Sequence, residues 1–349
     1  MKLLFLGDFY YDYDYITEDI KKIAKYIKDN KYITILNLEG TIKTRSKLNK
    51  GVNLAFSDTF IDVLNLLNVK AVNLANNHVM DYGKDGLKLL IKKLDNAKIG
   101  HFGAGLDLEE ACKPYILKEK GKKIAFGGYG WNMEECICAS KISAGTAGLN
   151  FNKIANIISN TNCDIFVPVF HYGYEYESLP QPLHLIETRK LLENDKVKII
   201  IGHHPHVVQA YENKIYYSLG NFYFGSRRDV FYNDNKYSKE TSFGIGVVYD
   251  LLDDKKEIIE ILYDGKKSII SDNTNKLLNI SNIKTIDYEK YFYENNRFLN
   301  KKYVYKNGFF NEKIINKLKY FSRNSRKKYL KYIKWPLIKI IKKIFKIKN

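Results

Sequence analysis

A layered α/β fold is predicted for this 349-residue chain, on three observations. Short, nearly continuous apolar runs recur along the first two thirds of the sequence, segments of helical spacing alternate with them, and polar side chains collect where the runs stop. Strands that are apolar along their whole length are buried on both faces, which requires a layer on either side. At 45% hydrophobic and 28% charged residues, the composition is that of a globular protein rather than a disordered one.

The elements follow in order. KLLFLGD (2–8) reads as a strand. In ITEDIKKIAKYIKDN, Thr17 can cap a helix whose stripe is Ile20, Ile23, Ala24 and Ile27. YITILNLEG (32–40) is a second strand, and DTFIDVLNLLN (58–68) a helix feeding a third strand in VKAVNLANNH (69–78). Leu87, Leu90, Ile91 and Leu94 are spaced as a helix face, with Gly100 as its expected stop. Further strand-like runs are KKIAFGGYG (122–130), CDIFVPVFHYGYE (163–175), VKIIIGHHPHV (197–207), KIYYSLGNFYFG (214–225) and TSFGIGVVYDL (241–251). Shorter links among the later strands predict a second, partly antiparallel sheet. The body is expected to span 1–265, followed by a connector or small add-on at 266–312 and a basic helical tail at 313–349.

The polar residues fall at the ends of these strands. Asp8 closes the first, Asn37 and Glu39 the second, and Asn76, Asn77 and His78 the third. His171 and Glu175 end a later run, His203, His204 and His206 the next, and Asn221 follows another. Ligands of open α/β sheets bind outside the carboxyl ends of the strands. Five of the seven histidines sit at such ends. GHHPH is the most specific signal, because on an extended chain His204 and His206 would face one side, while Pro205 removes a competing N–H. Carboxylate, amide and imidazole without thiolate suit one or two divalent ions of the Mn, Fe or Zn class and disfavour a structural zinc. A carboxylate such as Glu39 can bridge two ions, and paired metals serve hydrolysis or transfer at a phosphoryl centre.

NLEG, NLANNHVMDYGKDGL, HYGYEY, GHHPHVVQ and IYYSLGNF, in that order, resemble the CapA/PgsA family of capsule and poly-γ-glutamate synthesis proteins, itself similar to calcineurin-like metallophosphoesterases. The resemblance runs from about residue 2 to 250 and implies an α/β/β/α metallophosphoesterase-like sandwich. It implies Asp8, Glu39, Asn77, His171, His204 and His206 as metal ligands, with alternation favouring His204 and His206 over His203. His78, Asp81 and His203 are the implied catalytic set. In it His78 is a general acid or phosphate-binding imidazole, Asp81 orients it or caps the next helix, and His203 touches substrate. Glu175 and Asn221 are implied supporting or substrate-binding residues. Two positions depart from the wider superfamily: Asp8-Phe9-Tyr10 lacks the histidine of the usual Asp-x-His, and Tyr172 replaces the usual tryptophan.

The function so implied is a metal-dependent phosphoesterase-like protein acting on a cell-envelope polymer or its phosphorylated precursor, beside other capsule-synthesis proteins. The alternative is a non-catalytic scaffold of the same synthesis complex, and a nuclease is a third reading. The net charge of +18 does not favour nucleic acid once mapped: residues 313–349 carry +14 of it with no acid, leaving +4 for the rest. In that tail Leu337, Ile340, Ile341, Ile344 and Ile347 oppose Lys339, Lys342, Lys343 and Lys346, the pattern of a helix lying on an anionic membrane surface. No base-reading motif accompanies it. KLLFLGD is too short for a signal sequence and no run reaches the length of a membrane span, so the expected location is cytoplasmic and peripheral on the inner membrane face. Cys112, Cys136, Cys138 and Cys163 lack zinc-ribbon spacing and are expected as free thiols.

Overall fold

The computed structural model describes residues 1–48, 52–132, 135–227, 238–264 and 267–271, with scattered positions from 277 to 295. The expected tail helices therefore lie outside the described residues, as does most of the expected connector. The described elements fall within one compact unit, Met1–Phe292.

The chain begins with β1 (Lys2–Tyr10), α1 (Glu18–Asp29), β2 (Ile33–Leu38), α2 (Phe60–Leu66), β3 (Val69–Asn73) and α3 (Gly83–Asn96). It continues with β4 (Gly100–Phe102), β5 (Ala104–Gly105), α4 (Leu108–Cys112), β6 (Tyr115–Glu119), β7 (Lys122–Gly130), β8 (Gly145–Thr146) and α5 (Phe151–Asn160). Next are β9 (Ile165–His171), α6 (Pro182–Leu191), β10 (Ile200–His203), β11 (Tyr211–Glu212), β12 (Ile215–Tyr216) and β13 (Asn221–Phe224). β14 (Phe243–Asp250), β15 (Lys255–Tyr263) and β16 (Ser268–Ser271) complete the described sheets.

The first sheet has the order β16-β15-β14-β1-β2-β3-β4, with β13 also paired to β1. The second has the order β11-β12-β10-β9-β7-β6, and β5 and β8 form a separate pair. Each of the two larger sheets has a parallel centre, β1 to β4 in one and β7, β9, β10 and β12 in the other. The antiparallel pairing expected for the second sheet occurs at its edges, β6 and β11, whereas β14 to β16 run antiparallel on the first. Ser268–Ser271, within the expected connector, is thus a strand of the first sheet.

Period-two alternation sorts the apolar side chains into layers. Leu3, Phe5, Ile35 and Ala71 of the first sheet share one core with Phe126, Val167, Val169 and Ile201 of the second. Leu4, Leu6, Leu36 and Val72 point the other way, onto Ile20, Ile23, Val63, Leu87 and Leu90 of α1, α2 and α3. On the outer face of the second sheet, Phe151 of α5 meets Phe170 at 5.7 Å and His184 of α6 stacks on Tyr172 at 4.4 Å. The result is the expected four-layer α/β/β/α sandwich.

The helix expectations that fall on described residues hold, with one change. Thr17 caps α1 by accepting from the Ile20 N–H at 3.5 Å, and the predicted stripe is buried. α3 ends at Asn96 with Lys98 in positive φ (57°), so the stop precedes Gly100, which opens β4 instead. KIYYSLGNFYFG is not one strand. Its first half joins the second sheet as β12 and its second half the first sheet as β13, with Gly220 (φ 68°) at the crossing.

A bulge in β1 decides where Asp8 points. Leu6 pairs with Leu36 but Asp8 with Asn37, so Gly7 is an extra residue opposite no partner. Strict alternation after Leu4 and Leu6 would send Asp8 toward the helices; the inserted Gly7 sends it between the sheets and returns Phe9 to the helix side. Gly7 has no room for a side chain, since a Cβ there would lie 2.0 Å from the Gly220 carbonyl oxygen. Gly7→Ala is expected to cost about 1–3 kcal/mol, the range for overpacking a tight core, read as a lower urea midpoint. An unchanged midpoint would contradict this account of the bulge.

Candidate metal centre

Strand register brings the polar residues together. Across the first sheet Asp8 lies opposite both Asn221 and Asn37, and Asn37 opposite Asn73. Across the second, His203 lies opposite His171. Asn37 and His171 continue the inward-facing positions Ile35 and Val169, so both polar rungs face the space between the sheets.

At the centre are Asp8, Glu39 and His206, each offering one donor atom within 4.8 Å of the others. Asp8 and Glu39 are fully buried and His206 is 4% exposed. His206 Nδ1 donates to the Asn221 side-chain oxygen at 2.9 Å and lies 3.4 Å from Asp8 Oδ2. The Asn221 amide in turn donates to the Thr241 carbonyl at 3.1 Å, which fixes its oxygen toward the ring. His206 Nε2 lies 3.8 Å from Glu39 Oε1. A ring held through one nitrogen by an oriented partner, with the other toward a carboxylate, is the arrangement of metal-ligating histidines.

His171 is fully buried, with its Nε2 3.0 Å from Asn77 Oδ1 and its ring 4.7 Å from that of His204. Burial first, then the neighbouring imidazoles, hold its pKa well below the usual 6.5, so it is a neutral ring. Burial alone would raise the Asp8 carboxyl. The hydrogen bond and charge of His203, the charge of His206 and the bond from Asn37 outweigh it and hold Asp8 below its ordinary 3.8. A neutral His171 and an ionised Asp8 are the protonation states in which those two residues can bind a metal.

His78 Nδ1 donates to Asp81 Oδ2 at 2.7 Å, which leaves Nε2 3.9 Å from Glu39 Oε1. Asp81 Oδ2 also accepts from the Leu54 N–H at 2.7 Å, so the loop before α2 fixes the carboxylate that orients the imidazole. Asn76 shapes the turn: its amide donates to the Leu38 carbonyl at 2.8 Å and its oxygen accepts from the His78 N–H at 3.1 Å.

Of the sequence-predicted residues, Asp8, Glu39, Asn77, His78, Asp81, His171, His203, His204, His206 and Asn221 are all at most 8% exposed and meet at this cluster. His203 Nδ1 lies 3.3 Å from Asp8 Oδ1, and the His204 N–H donates to Asp8 Oδ2 at 3.4 Å. The His204 and His206 rings approach to 6.2 Å, though not by alternation along an extended strand. β10 stops at His203, and positive φ at His204 (100°) and His206 (57°) wraps the chain around Asp8. Such angles are strained for side-chain-bearing residues and are held by their surroundings. Glu175 is exposed on the turn after β9, outside this network.

Asn37 is the residue that sequence reasoning placed at a strand end without a role. Its amide donates to Asp8 Oδ1 at 2.8 Å and Glu39 Oε2 at 3.3 Å, and lies 3.4 Å from His171 Nδ1. Its oxygen accepts from the Asn73 amide at 2.9 Å. The donor set fits a divalent cation: buried oxygen and imidazole donors converge from different strands, with no thiolate among them.

Four layers with acids, amides and imidazoles gathered between two sheets define the class, an α/β/β/α sandwich with a candidate metal centre between its sheets. Residues 3–226 match the family described as bacterial capsule synthesis protein PGA_cap, and the chain belongs to that family. It is similar to the capsule biosynthesis protein CapA of Bacillus anthracis, 28% identical over 229 residues, covering 61% of this chain and 54% of that one. It is also similar to the PGA biosynthesis protein CapA of Bacillus subtilis (strain 168), 31% identical over 189 residues, covering 52% of this chain and 50% of that one. The chain thus spans about half the length of these curated relatives. Among solved structures, one of a hypothetical protein from Thermus thermophilus has a TM-score of 0.42 at 13% identity, covering 78% of this chain and 97% of that one. The NAD nucleotidase NadN of Haemophilus influenzae has a TM-score of 0.40 at 14% identity, covering 79% and 54%.

Asn37→Ala leaves every predicted ligand in place but removes the amide that holds three of them. It is expected to weaken Mn²⁺ or Zn²⁺ binding about 10–100-fold with the circular dichroism spectrum unchanged, the effect typical of losing a ligand's supporting partner. Undiminished affinity in a titration of the folded variant would remove Asn37 from this role.

Proposed function

We propose that the chain is a divalent-metal-dependent phosphoesterase-like protein acting on a cell-envelope polymer or its phosphorylated precursor. The observation that carries this reading is the convergence of Asp8, Glu39 and His206, with one donor atom from each within 4.8 Å of the others. Its place in capsule synthesis is supported by the family and by relatives named for capsule and PGA biosynthesis.

Asp8, Glu39 and His206 would hold the ion, with Asn77, His171 and His204 as further donors. A bound divalent ion polarises a phosphoryl oxygen and acidifies a water molecule. The protein's own groups do the rest. Asn37 and Asn221 orient the donors from behind. Asp81 fixes the His78 ring so that Nε2 faces the cluster, positioned to protonate a departing oxygen or bind a phosphate oxygen. His203 neighbours Asp8 at 3.3 Å and would contact the substrate's phosphate from the second sheet. Burial of the whole set lowers the local dielectric, which strengthens each charge interaction there.

The expected location is the inner face of the membrane, with the basic segment 313–349 binding anionic lipid beside other capsule-synthesis proteins. Among the described residues no helix is long and apolar enough to cross a membrane.

Purified protein is expected to bind at least one transition metal ion per chain and to cleave a phosphoester such as p-nitrophenyl phosphate, with activity lost on chelation. His78→Ala should lower kcat about a hundredfold to ten-thousandfold while bound metal is retained. Metal binding without turnover of any phosphoester would favour the scaffold reading, and binding of neither would end the enzymatic one. Deleting 313–349 should release the protein from vesicles containing phosphatidylserine in a sedimentation assay. Equal sedimentation of the truncated form would contradict the membrane reading.

A further inference from the structure

The other end of the sandwich holds a cavity that the chemistry above does not use. The metal centre sits where the parallel strands finish. Lys214 instead precedes β12, which runs parallel to β10, and the β14–β15 turn lies beside the start of β1, where Lys2 pairs with Asp250. Side chains from these two places line a cavity of about 460 Å³. Small-molecule sites are of this size.

One wall is the β11–β12 hairpin. Tyr211 and Tyr216 pair across it, their rings 5.8 Å apart and parallel to within 6°, with Asn213 and Lys214 in the turn between them. The Ile280 N–H donates to the Tyr211 carbonyl at 2.9 Å and so ties the hairpin from outside. The other wall carries Asp254 and Lys256, whose charges are closed on each other. Asp254 Oδ1 accepts from Lys256 Nζ and from the Tyr249 hydroxyl, each at 2.8 Å. The Lys256 ammonium also lies 4.9 Å from the centre of the Tyr249 ring. Burial would raise the Asp254 carboxyl, but these two hydrogen bonds and the charges of Lys256 and Lys214 hold it below its ordinary 3.8.

With Lys256 offsetting Asp254, the positive charge left in the cavity is that of Lys214. Among the described residues the Lys214 ammonium makes no hydrogen bond or ion pair, and the hydroxyls of Tyr211 and Tyr216 make no hydrogen bond. Burial, then the neighbouring Tyr211, raises the Tyr216 phenol, so it stays protonated and able to donate. An ammonium only donates, and two phenols and the Asn213 amide beside it can donate with it. Carboxylate and phosphate oxygens answer such a set, because they accept and their bonds to an ammonium are charge-assisted.

We propose that the cavity between the β11–β12 hairpin and the β14–β15 turn binds a small organic anion, whose carboxylate or phosphate group is held by Lys214. The site lies at the opposite end of the strands from the metal centre and does not rest on the phosphoesterase reading.

Full-length protein in EDTA at physiological salt is titrated by calorimetry with glucose 1-phosphate, glucuronate and inorganic phosphate, and with glucose as the neutral control. At least one anion should bind at one per chain, and glucose should not. Glucose 1-phosphate against glucuronate distinguishes a phosphate from a carboxylate on the same kind of ring. The basic segment 313–349 draws anions to every variant alike, so the comparison among variants reports the cavity. Lys214→Met should weaken the bound anion about tenfold, the loss of one charge-assisted hydrogen bond. Lys118→Met, an exposed lysine on β6 at the far edge of the same sheet, should leave it unchanged. Matching thermal unfolding shows that the variants fold. Should Lys214→Met not fold, Tyr216→Phe decides, since it removes only a hydroxyl and should weaken the same anion. Binding of no anion, equal binding of glucose, a loss of less than about threefold in the deciding variant, or an equal loss in Lys118→Met overturns the site.

Discussion

The structure depends on one extra residue in the first strand. Gly7 shifts β1 by one position against β2, and that shift turns Asp8 from the helix layer into the space between the sheets. The close approach of the Gly220 carbonyl, which a Cβ at Gly7 would meet at 2.0 Å, ties this bulge to the point where the chain crosses from the second sheet to the first. The same crossing delivers Asn221 opposite Asp8. A backbone irregularity therefore sets both the carboxylate at the centre and the amide that orients His206.

Around it, buried polar groups are arranged so that each answers another. Taking carboxylates, amides and imidazoles out of water is costly unless they are bonded. Here Asn37 binds the acid of its own strand, the acid of the next strand and the histidine region of the opposite sheet, while Asn73 holds Asn37. Asp81 is held by Leu54 and in turn holds His78. The layers supply rigidity, because Asn37 and His171 extend strands whose inward positions are already packed. The positive φ angles at His204 and His206 are the local strain that this packing sustains.

Much of this was legible in the sequence, for a physical reason. In β9 the inward series Ile165, Val167, Val169 continues to His171, so a period-two pattern that ends in a polar residue marks both a buried face and its functional end. The helix stripes of α1 and α3 were legible for the same kind of reason, with period 3.6. What stayed hidden depended on contacts between distant segments. Gly7 reads as one more residue of the first strand until the pairing of Leu6 and Asp8 with β2 shows it left over. Asn37 looks like any strand-end amide until Asp8, Glu39 and His171 surround it. The His204 and His206 pair was read from alternation, yet positive φ, which no pattern of residue types announces, brings the rings together. α6 lacks a clear apolar stripe, although Pro182 at its first turn was a signal.

Everything proposed for the site turns on where a metal ion sits. Crystals grown with Mn²⁺ and measured for anomalous scattering near the manganese edge would locate it directly. A peak is predicted within bonding distance of Asp8, Glu39 and His206 Nε2, with His206 Nδ1 still donating to Asn221. A fully ordered cluster without a peak, or a manganese ion bound only elsewhere on the protein, would contradict it.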